Sequence, residues 1–559
     1  MRLVPLVSLV TLIVSLIFCV VPGGAVQIVE FCPDPFLYDD EDEYLVLAGS
    51  GSLDGITVSD ERGGFRFPPG TILDGTLTVA RNALAFEESH GSLPDFEWMD
   101  HSRAVPNVIS GDILRMTNTR DNLKVYEGGR LVQEVSWPAN VKPREGQVHY
   151  LVDGVWDPRV LMLGQSRLQT ATFRDVTVTT FVSPDCSYEV FTSAVDRAQK
   201  ELLVNVYEFT STDLSTALVS AKKRGVDVAV LVEGGPVGGI SPEEKTVIRV
   251  MNESGIPVRQ MAAPPGGHVP YRYDHAKYFV VDRSAVLLTS ENFKYSGFPP
   301  PGSTGNRGWG VYMESTGVAD YFAKVYQTDI SGYAVTPVTG ISGKSEAIPG
   351  VSYTQEFPPA RFEGAVVTPV ISPDTSDQIT RLINSAQSGI EIEQAYITNE
   401  SATAWNPFLS AAINASRRGV PVRVLLDSYW YNVEDTKDND EMAALINEVA
   451  RTEHLPLEAR CADLAASGIE KIHNKGVIVD NRLVLVSSIN WNSNSPNFNR
   501  EAGVIIEHPG VAGYFHAVFE DDWAPAVRAS EEPVDYLKIA CVIIVIGALL
   551  VLYYRKHIR

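Results

Sequence analysis

From about residue 170 the apolar positions switch between two spacings, and they do so twice. The first run is FVSPDCSYEVFTSAVDRAQKELLVNVYEF, then LVSAKKRGVDVAVLVEG; the second is VISPDTSDQITRLINSAQSGIEIEQAYI, then INASRRGVPVRVLLDS. In each, SPD opens a stretch with apolar residues at helical spacing, and Asp185 or Asp374 is placed to cap it. A β-rich run follows (LLVNVYEF, IEIEQAYI), then a helix closing at Arg-Gly-Val, then an apolar strand (VDVAVLV, VPVRVLL). Strand, helix, strand in this order predicts a mixed or parallel sheet covered by helices, an α/β fold. Both runs end alike, in GVADYFAKVYQTD and GVAGYFHAVFEDDW, so one fold is used twice, over 170–345 and 346–528.

Residues 26–165 have a different rhythm. Short strands such as EYLVLAG, DGTLTVA, GDILRMT and LVQEVSW alternate with Gly, Pro and Asp turn signals, which predicts an all-β region. The run DDEDE at 39–43 reads as a solvated acidic loop, because it lacks the alternating Asp and Gly of a calcium loop. The two ends carry membrane signals. Residues 3–21 are apolar behind Arg2 and lead into PGGA, which predicts a signal peptide over 1–25. Residues 537–554 form a second apolar run followed by RKHIR, which predicts a single transmembrane helix. The basic tail, 555–559, is expected in the cytoplasm, with the rest of the chain on the other side of a cell membrane.

Composition narrows the function. At 559 residues with 45% hydrophobic content the chain buries several cores. The formal net charge of -23 argues against a surface that coats polyanions non-specifically and leaves room only for a local cationic cleft. Cys32, Cys186 and Cys461 lie outside the two terminal apolar runs and allow at most one intramolecular bridge. No cysteine or histidine spacing suggests a metal, and no cofactor is implied.

The chemistry lies in two stretches, HAKYFVVDRSAVLLTSEN from His275 and HNKGVIVDNRLVLVSSIN from His473. Each reads as a hairpin, with turns expected at Arg283-Ser284 and Asn481-Arg482. That register sets His275 opposite Asn292 and Lys277 opposite Ser290, and likewise His473 opposite Asn490 and Lys475 opposite Ser488. One face of each hairpin then gathers imidazole, ammonium, hydroxyl and amide. Asp282 and Asp480 fall on the other face near the turn, where bracing the hairpin is their expected part. Lysine, serine and asparagine together make an anion site, and histidine adds a nucleophile and proton carrier at neutral pH. Two such faces meeting about a pseudo-twofold axis place both histidines at one phosphate.

H-x-K-x4-D followed by a Ser-x-Asn box, present twice, resembles the phospholipase D superfamily. The resemblance implies duplicated αβα sandwich halves with a pseudo-twofold active site. It implies metal-independent hydrolysis or transfer at a phosphodiester, in phospholipid or single-stranded nucleic acid, through a phosphohistidine. The active-site set it carries over is His275, Lys277, Asp282, Ser290 and Asn292, with His473, Lys475, Asp480, Ser488, Asn490 and Glu501. Two departures stand out. Thr289 and Ser487 replace the usual Gly of the box, and Gly308 stands where the second half has Glu501. The second asymmetry leaves open which histidine attacks; it favours His275, with Glu501 expected to tune its neighbours in the second half. The stretch VEFCPDPFLYDDEDEYLVLAG and the strands after it resemble the lamin-tail domain, an immunoglobulin-like sandwich. The alternative to an enzyme is a surface binding protein on an inactive scaffold of the same fold.

Overall fold

A computed structural model describes residues 26–118, 120–137, 144–263, 268–332, 334–348, 350, 352–399, 404–434 and 438–524. The expected signal peptide, the C-terminal apolar helix and the basic tail lie outside the described residues. Among the described residues no helix is long and apolar enough to cross a membrane. The chain divides into two compact units, one up to residue 165 and the other from residue 166.

The first unit is β-rich. One sheet runs in the order Val155–Trp156, Gln147–Val152, Gln27–Cys32, Tyr44–Ser52, Ile72–Ala80, Phe96–Glu97, and the other Ile109–Ser110, Gly64–Arg66, Ile56–Ser59, Asp121–Glu127, Arg130–Trp137. Ile28, Phe31, Leu45 and Leu47 of the first sheet share a core with Val58, Phe65, Leu123 and Val125 of the second, the packing of a sandwich. The all-β expectation is corrected by one helix, Ala83–His90. Its N-terminus is capped by the Asn82 side chain, which accepts from the amides of Leu84 and Ala85. The solvated acidic loop is corrected too: Asp42 and Glu43 are fully buried. The Glu43 carboxylate accepts the Met116 amide at 3.1 Å, and burial pushes its pKa well above the usual carboxylate range. Cys32, Cys186 and Cys461 are all free thiols.

The second unit is built on a ladder of fifteen strands that reads almost the same from either end. At its centre Phe173–Ser183 pairs antiparallel with Ala360–Ser372, joining the halves. Outward on one side lie Gly308–Glu314, Ala285–Thr289, Lys277–Val281, Glu201–Val206, Asp227–Glu233, Val258–Met261 and Val335–Pro337. On the other lie Glu501–Glu507, Leu483–Ser487, Lys475–Val479, Ile390–Gln394, Val422–Leu426 and Leu457–Cys461. The strand–helix–strand runs form the parallel pairs, as connections through helices demand, and the hairpins form the antiparallel ones. Helices Ser187–Arg197, Thr212–Lys223 and Pro242–Glu253 cover one core of the first half, and Asp377–Asn384, Pro407–Arg417 and Asn439–Glu453 cover its counterpart. Helices Thr316–Ile330 and Pro509–Trp523 share a third core, to which both halves contribute strands. The Arg-Gly-Val helix ends form as expected, with Gly225 and Gly419 left-handed at φ 97° and 91°.

Asp185 and Asp374 do not cap the helices that follow them. The side chain of Asp185 accepts from the guanidinium of Arg307 at 2.7 Å, and that of Asp374 from Arg500 at 3.2 Å. Each arginine also reaches the last turn of the other half's C-terminal helix: Arg307 to Asp522 at 2.8 Å, Arg500 to Asp329 at 2.8 Å. Both guanidinium groups are fully buried. A buried arginine attracts carboxylates more strongly than a helix N-terminus does, which explains the reassignment. Replacing Arg500 with Met takes the guanidinium away from two buried carboxylates, Asp329 and Asp374. The expected loss is about 3–5 kcal/mol in urea unfolding of the chain, and a loss below about 1 kcal/mol would contradict the clamp.

Candidate active site

The two hairpins are built from the expected strands but turn one residue early. Ladder pairing starts at Val281 with Ala285 and at Val479 with Leu483. The turns centre on Asp282-Arg283 and Asp480-Asn481, all four left-handed at φ 51°, 50°, 56° and 47°. Asp and Asn tolerate that conformation better than most residues. Each aspartate is also tied down. Asp282 accepts the amides of Gln199, Lys200 and Glu201 at 2.7–2.9 Å, and Asp480 those of Gln387, Ser388 and Gly389 at 2.6–3.1 Å. Grouping Asp282 and Asp480 with the reacting residues is therefore corrected: they hold the hairpin to the loop before the neighbouring strand.

Starting one residue early shifts every cross-strand pair. Lys277 and Lys475 fall opposite Thr289 and Ser487, not Ser290 and Ser488, and the Ser487 hydroxyl donates to the Lys475 carbonyl at 3.0 Å. The serines of the box sit one step past the ladder. There the Ser290 hydroxyl accepts the Trp309 amide at 3.1 Å, and that of Ser488 accepts the Ala502 amide at 3.0 Å.

What unites the two faces is an exchange between halves. The His275 amide donates to the Arg500 carbonyl at 2.7 Å, and the His473 amide to the Arg307 carbonyl at 2.8 Å. The two arginines that clamp the fold thus also fix the backbone of the opposite half's histidine. Side chains cross in the same way. His275 Nδ1 lies 2.8 Å from Glu501 Oε2, and His473 Nδ1 lies 3.1 Å from Glu291 Oε1. An ionised carboxylate only accepts, so facing one Nδ1 carries the ring proton and Nε2 keeps its lone pair. Glu501 Oε2 also accepts from the Ser488 hydroxyl at 2.6 Å, which links Ser488 to His275. Glu501 thus touches Ser488 of its own half, as expected, and also reaches the histidine of the other half.

Lys277 Nζ donates to the His275 carbonyl at 2.6 Å and Lys475 Nζ to that of His473 at 2.5 Å, leaving further protons on each ammonium. Burial pulls Lys277 down to about 8. Burial, and then the charge of Lys277, pulls Lys475 down to about 7. Burial lowers both histidines as well. Glu501 opposes the shift at His275, whereas Lys475, Lys471 and Lys277 deepen it at His473. Asn292 donates from Nδ2 to Glu208 at 3.0 Å, and Asn490 is 9% exposed at the matching place. The Tyr207 ring lies 4.6 Å from the His275 ring and 5.3 Å from Lys277 Nζ.

Glu291, Lys471 and Tyr207 are absent from the sequence-derived set. Only Glu291 had a signal: it is an acid inside the box of the one copy that lacks an acid at the Glu501 position. Trp430 and Tyr431 are exposed, and Lys471 Nζ donates to the Tyr431 hydroxyl at 2.9 Å. Among the described residues one group, Glu391, His516 and Glu520, has ligand atoms close enough for a metal ion. Arg423 already donates to both of its glutamates, so a cation is supplied there by the protein.

The family model described as cardiolipin synthase, PLD-like domain, matches residues 191–330 and 379–523, about half of the chain. No curated protein matches. Among solved structures, the phospholipase D family member Nuc from Salmonella typhimurium is similar at 24% identity and a TM-score of 0.25, covering 31% of this chain and 100% of that one. Phosphatidylserine synthase from Haemophilus influenzae is similar at 14% identity and a TM-score of 0.43, covering 61% and 85%. NucT from Helicobacter pylori is similar at 15% identity and 0.24, covering 29% and 98%. Two matched regions, one in each half of a duplicated α/β unit, carry the assignment: the chain belongs to the phospholipase D superfamily.

Proposed function

We propose that the chain is a phosphodiesterase that works by a phosphohistidine at the seam between its halves. The carrying observation is the reciprocal pair of histidines. His275 is buried and His473 half-buried, and each is tied through Nδ1 to a carboxylate and so presents a neutral Nε2. One Nε2 attacks phosphorus; the N–P bond forms as the P–O bond to the leaving group breaks. The other histidine, protonated, gives its proton to that departing oxygen, then takes a proton from water or an alcohol as the new P–O bond replaces N–P. The ammonium groups of Lys277 and Lys475 and the amides of Asn292 and Asn490 meet the charge growing on the non-bridging oxygens.

The electrostatics reverse the preference taken from sequence. Burial lowers both histidines; at His473 Lys475, Lys471 and Lys277 add to it, whereas at His275 Glu501 opposes burial and the pull of Lys277 and Lys475. His473 is then the nucleophile and His275 the acid and base. The substrate is a phospholipid or a single-stranded nucleic acid, with the N-terminal lamin-tail-like domain as an accessory module. The apolar run at 537–554 would anchor the enzyme on the outer side of the cell membrane.

Two outcomes are expected. In excess EDTA the protein turns over one of four substrates: single-stranded DNA, RNA, phosphatidylcholine or cardiolipin. His275→Ala and His473→Ala each lower that rate by about 10³-fold or more. Silent substitutions would instead make the fold a binding scaffold. The second outcome follows from the lysines. A lysine is charged below its pKa, so anion binding is full below about 7 and is lost as the pH rises past about 8. KM for bis(p-nitrophenyl) phosphate, whose charge is constant over this range, rises about tenfold or more between pH 6 and pH 9. A flat KM would rule out the lysines as the anion holders.

A further inference from the structure

The acids of the two histidines come from different places in the chain. Gly308 pairs with Ser183 and Glu501 with Ser372 on the two central strands, so 308 and 501 are the same position of the duplicated fold. The second half puts its acid there. The first half has no side chain there, and its acid is Glu291, inside the Ser-x-Asn box; the matching box residue in the second half is the buried Ile489.

Both carboxylates nevertheless finish in the same surroundings. Glu501 places Oε2 on His275 at 2.8 Å and accepts Asn499 Nδ2 on Oε1 at 3.0 Å. Glu291 places Oε1 on His473 at 3.1 Å and accepts Asn306 Nδ2 on Oε2 at 2.9 Å. Asn306 and Asn499 each immediately precede the clamping arginine of their half. The space is shared as well. A Cβ on Gly308 would lie 2.3 Å from Glu291 Oε1 and 2.7 Å from its Cδ, and one on Gly297 would lie 2.9 Å from Oε2. The Glu291 carboxylate therefore fills the volume that a side chain at 308 would occupy.

We propose that Glu291 is the positioning acid of His473, supplied from the box in place of the strand, and that Gly308 is bare in order to seat it. This rests on the phosphodiesterase reading for its kinetic consequence and on geometry alone for its structural one. Glu291 fixes the proton on Nδ1 and so aims Nε2 at phosphorus. Burial raises the Glu291 carboxyl to about 7 against the pull of Lys475, so the carboxylate that holds the proton on Nδ1 prevails above that pH.

The test makes the first half copy the second. In the full chain, Glu291→Ile lowers kcat on bis(p-nitrophenyl) phosphate by about 10–100-fold with KM changed less than about threefold. Glu291→Ile combined with Gly308→Glu recovers kcat to within about fivefold of the parent. Selective 15N-histidine labelling reads the second quantity, the tautomer of His473, with its resonance identified by loss in His473→Gln. The parent and the double variant show the Nδ1-protonated form, and Glu291→Ile shows a mixture. Glu291→Gln preserves volume and carries both readouts if the double variant unfolds. Unchanged kcat and an unchanged tautomer in Glu291→Ile, or a folded double variant that restores neither, would overturn the proposal. A parent without turnover on any diester would sink the phosphodiesterase reading, while the His473 tautomer would still decide the role of Glu291.

Discussion

Two fully buried arginines tie the duplicated halves of this structure together. The guanidinium of Arg307 spans Asp185 of its own half and Asp522 of the other, and Arg500 does the same with Asp374 and Asp329. Taking such charges out of water costs several kcal/mol each, and a single partner rarely repays that. Here each guanidinium has several acceptors, including the Ser183 or Ser372 carbonyl at 3.1 or 3.0 Å. The arrangement makes sense because the same residues serve twice. Their carbonyls receive the amides of His473 and His275, so the clamp that joins the halves also sets the histidines facing the seam.

From that constraint the electrostatic character of the site follows. Bringing both motifs to one seam buries two lysines and one histidine and half-buries the other, and dehydration disfavours every positive charge among them. The result is a pair of ammonium groups with pKa values near 7 and 8 beside imidazoles held neutral. A phosphodiester entering such a site supplies the negative charge that the site lacks. Glu291 and Glu501 offset part of the imbalance, yet each is committed to a histidine and leaves the lysines for substrate.

The duplication, the sheet and the residues of the two boxes were legible in the sequence because they are repeated at matching offsets. Hairpin register was not. A turn with two residues at positive φ is set by where Asp282 and Asp480 find backbone donors, and those lie some eighty to ninety residues away in the chain. The capping roles given to Asp185 and Asp374 failed for the same reason: their arginine partners are more than a hundred residues distant. Glu291 escaped notice because equivalence by sequence position hid equivalence in space. The burial of Glu43 defied composition because a distant amide, Met116, needed an acceptor. Local pattern thus revealed elements and long-range polar pairing assigned their partners.

The central claim is that two half-sites make one reaction centre. Rapid quenching of the full chain with a phosphorus-labelled diester, followed by counting and mapping of acid-labile label, tests it most directly. The account predicts at most one phosphoryl group per chain, carried by His473. Label approaching two groups per chain, divided between His275 and His473, would mean that the halves react independently and would contradict it.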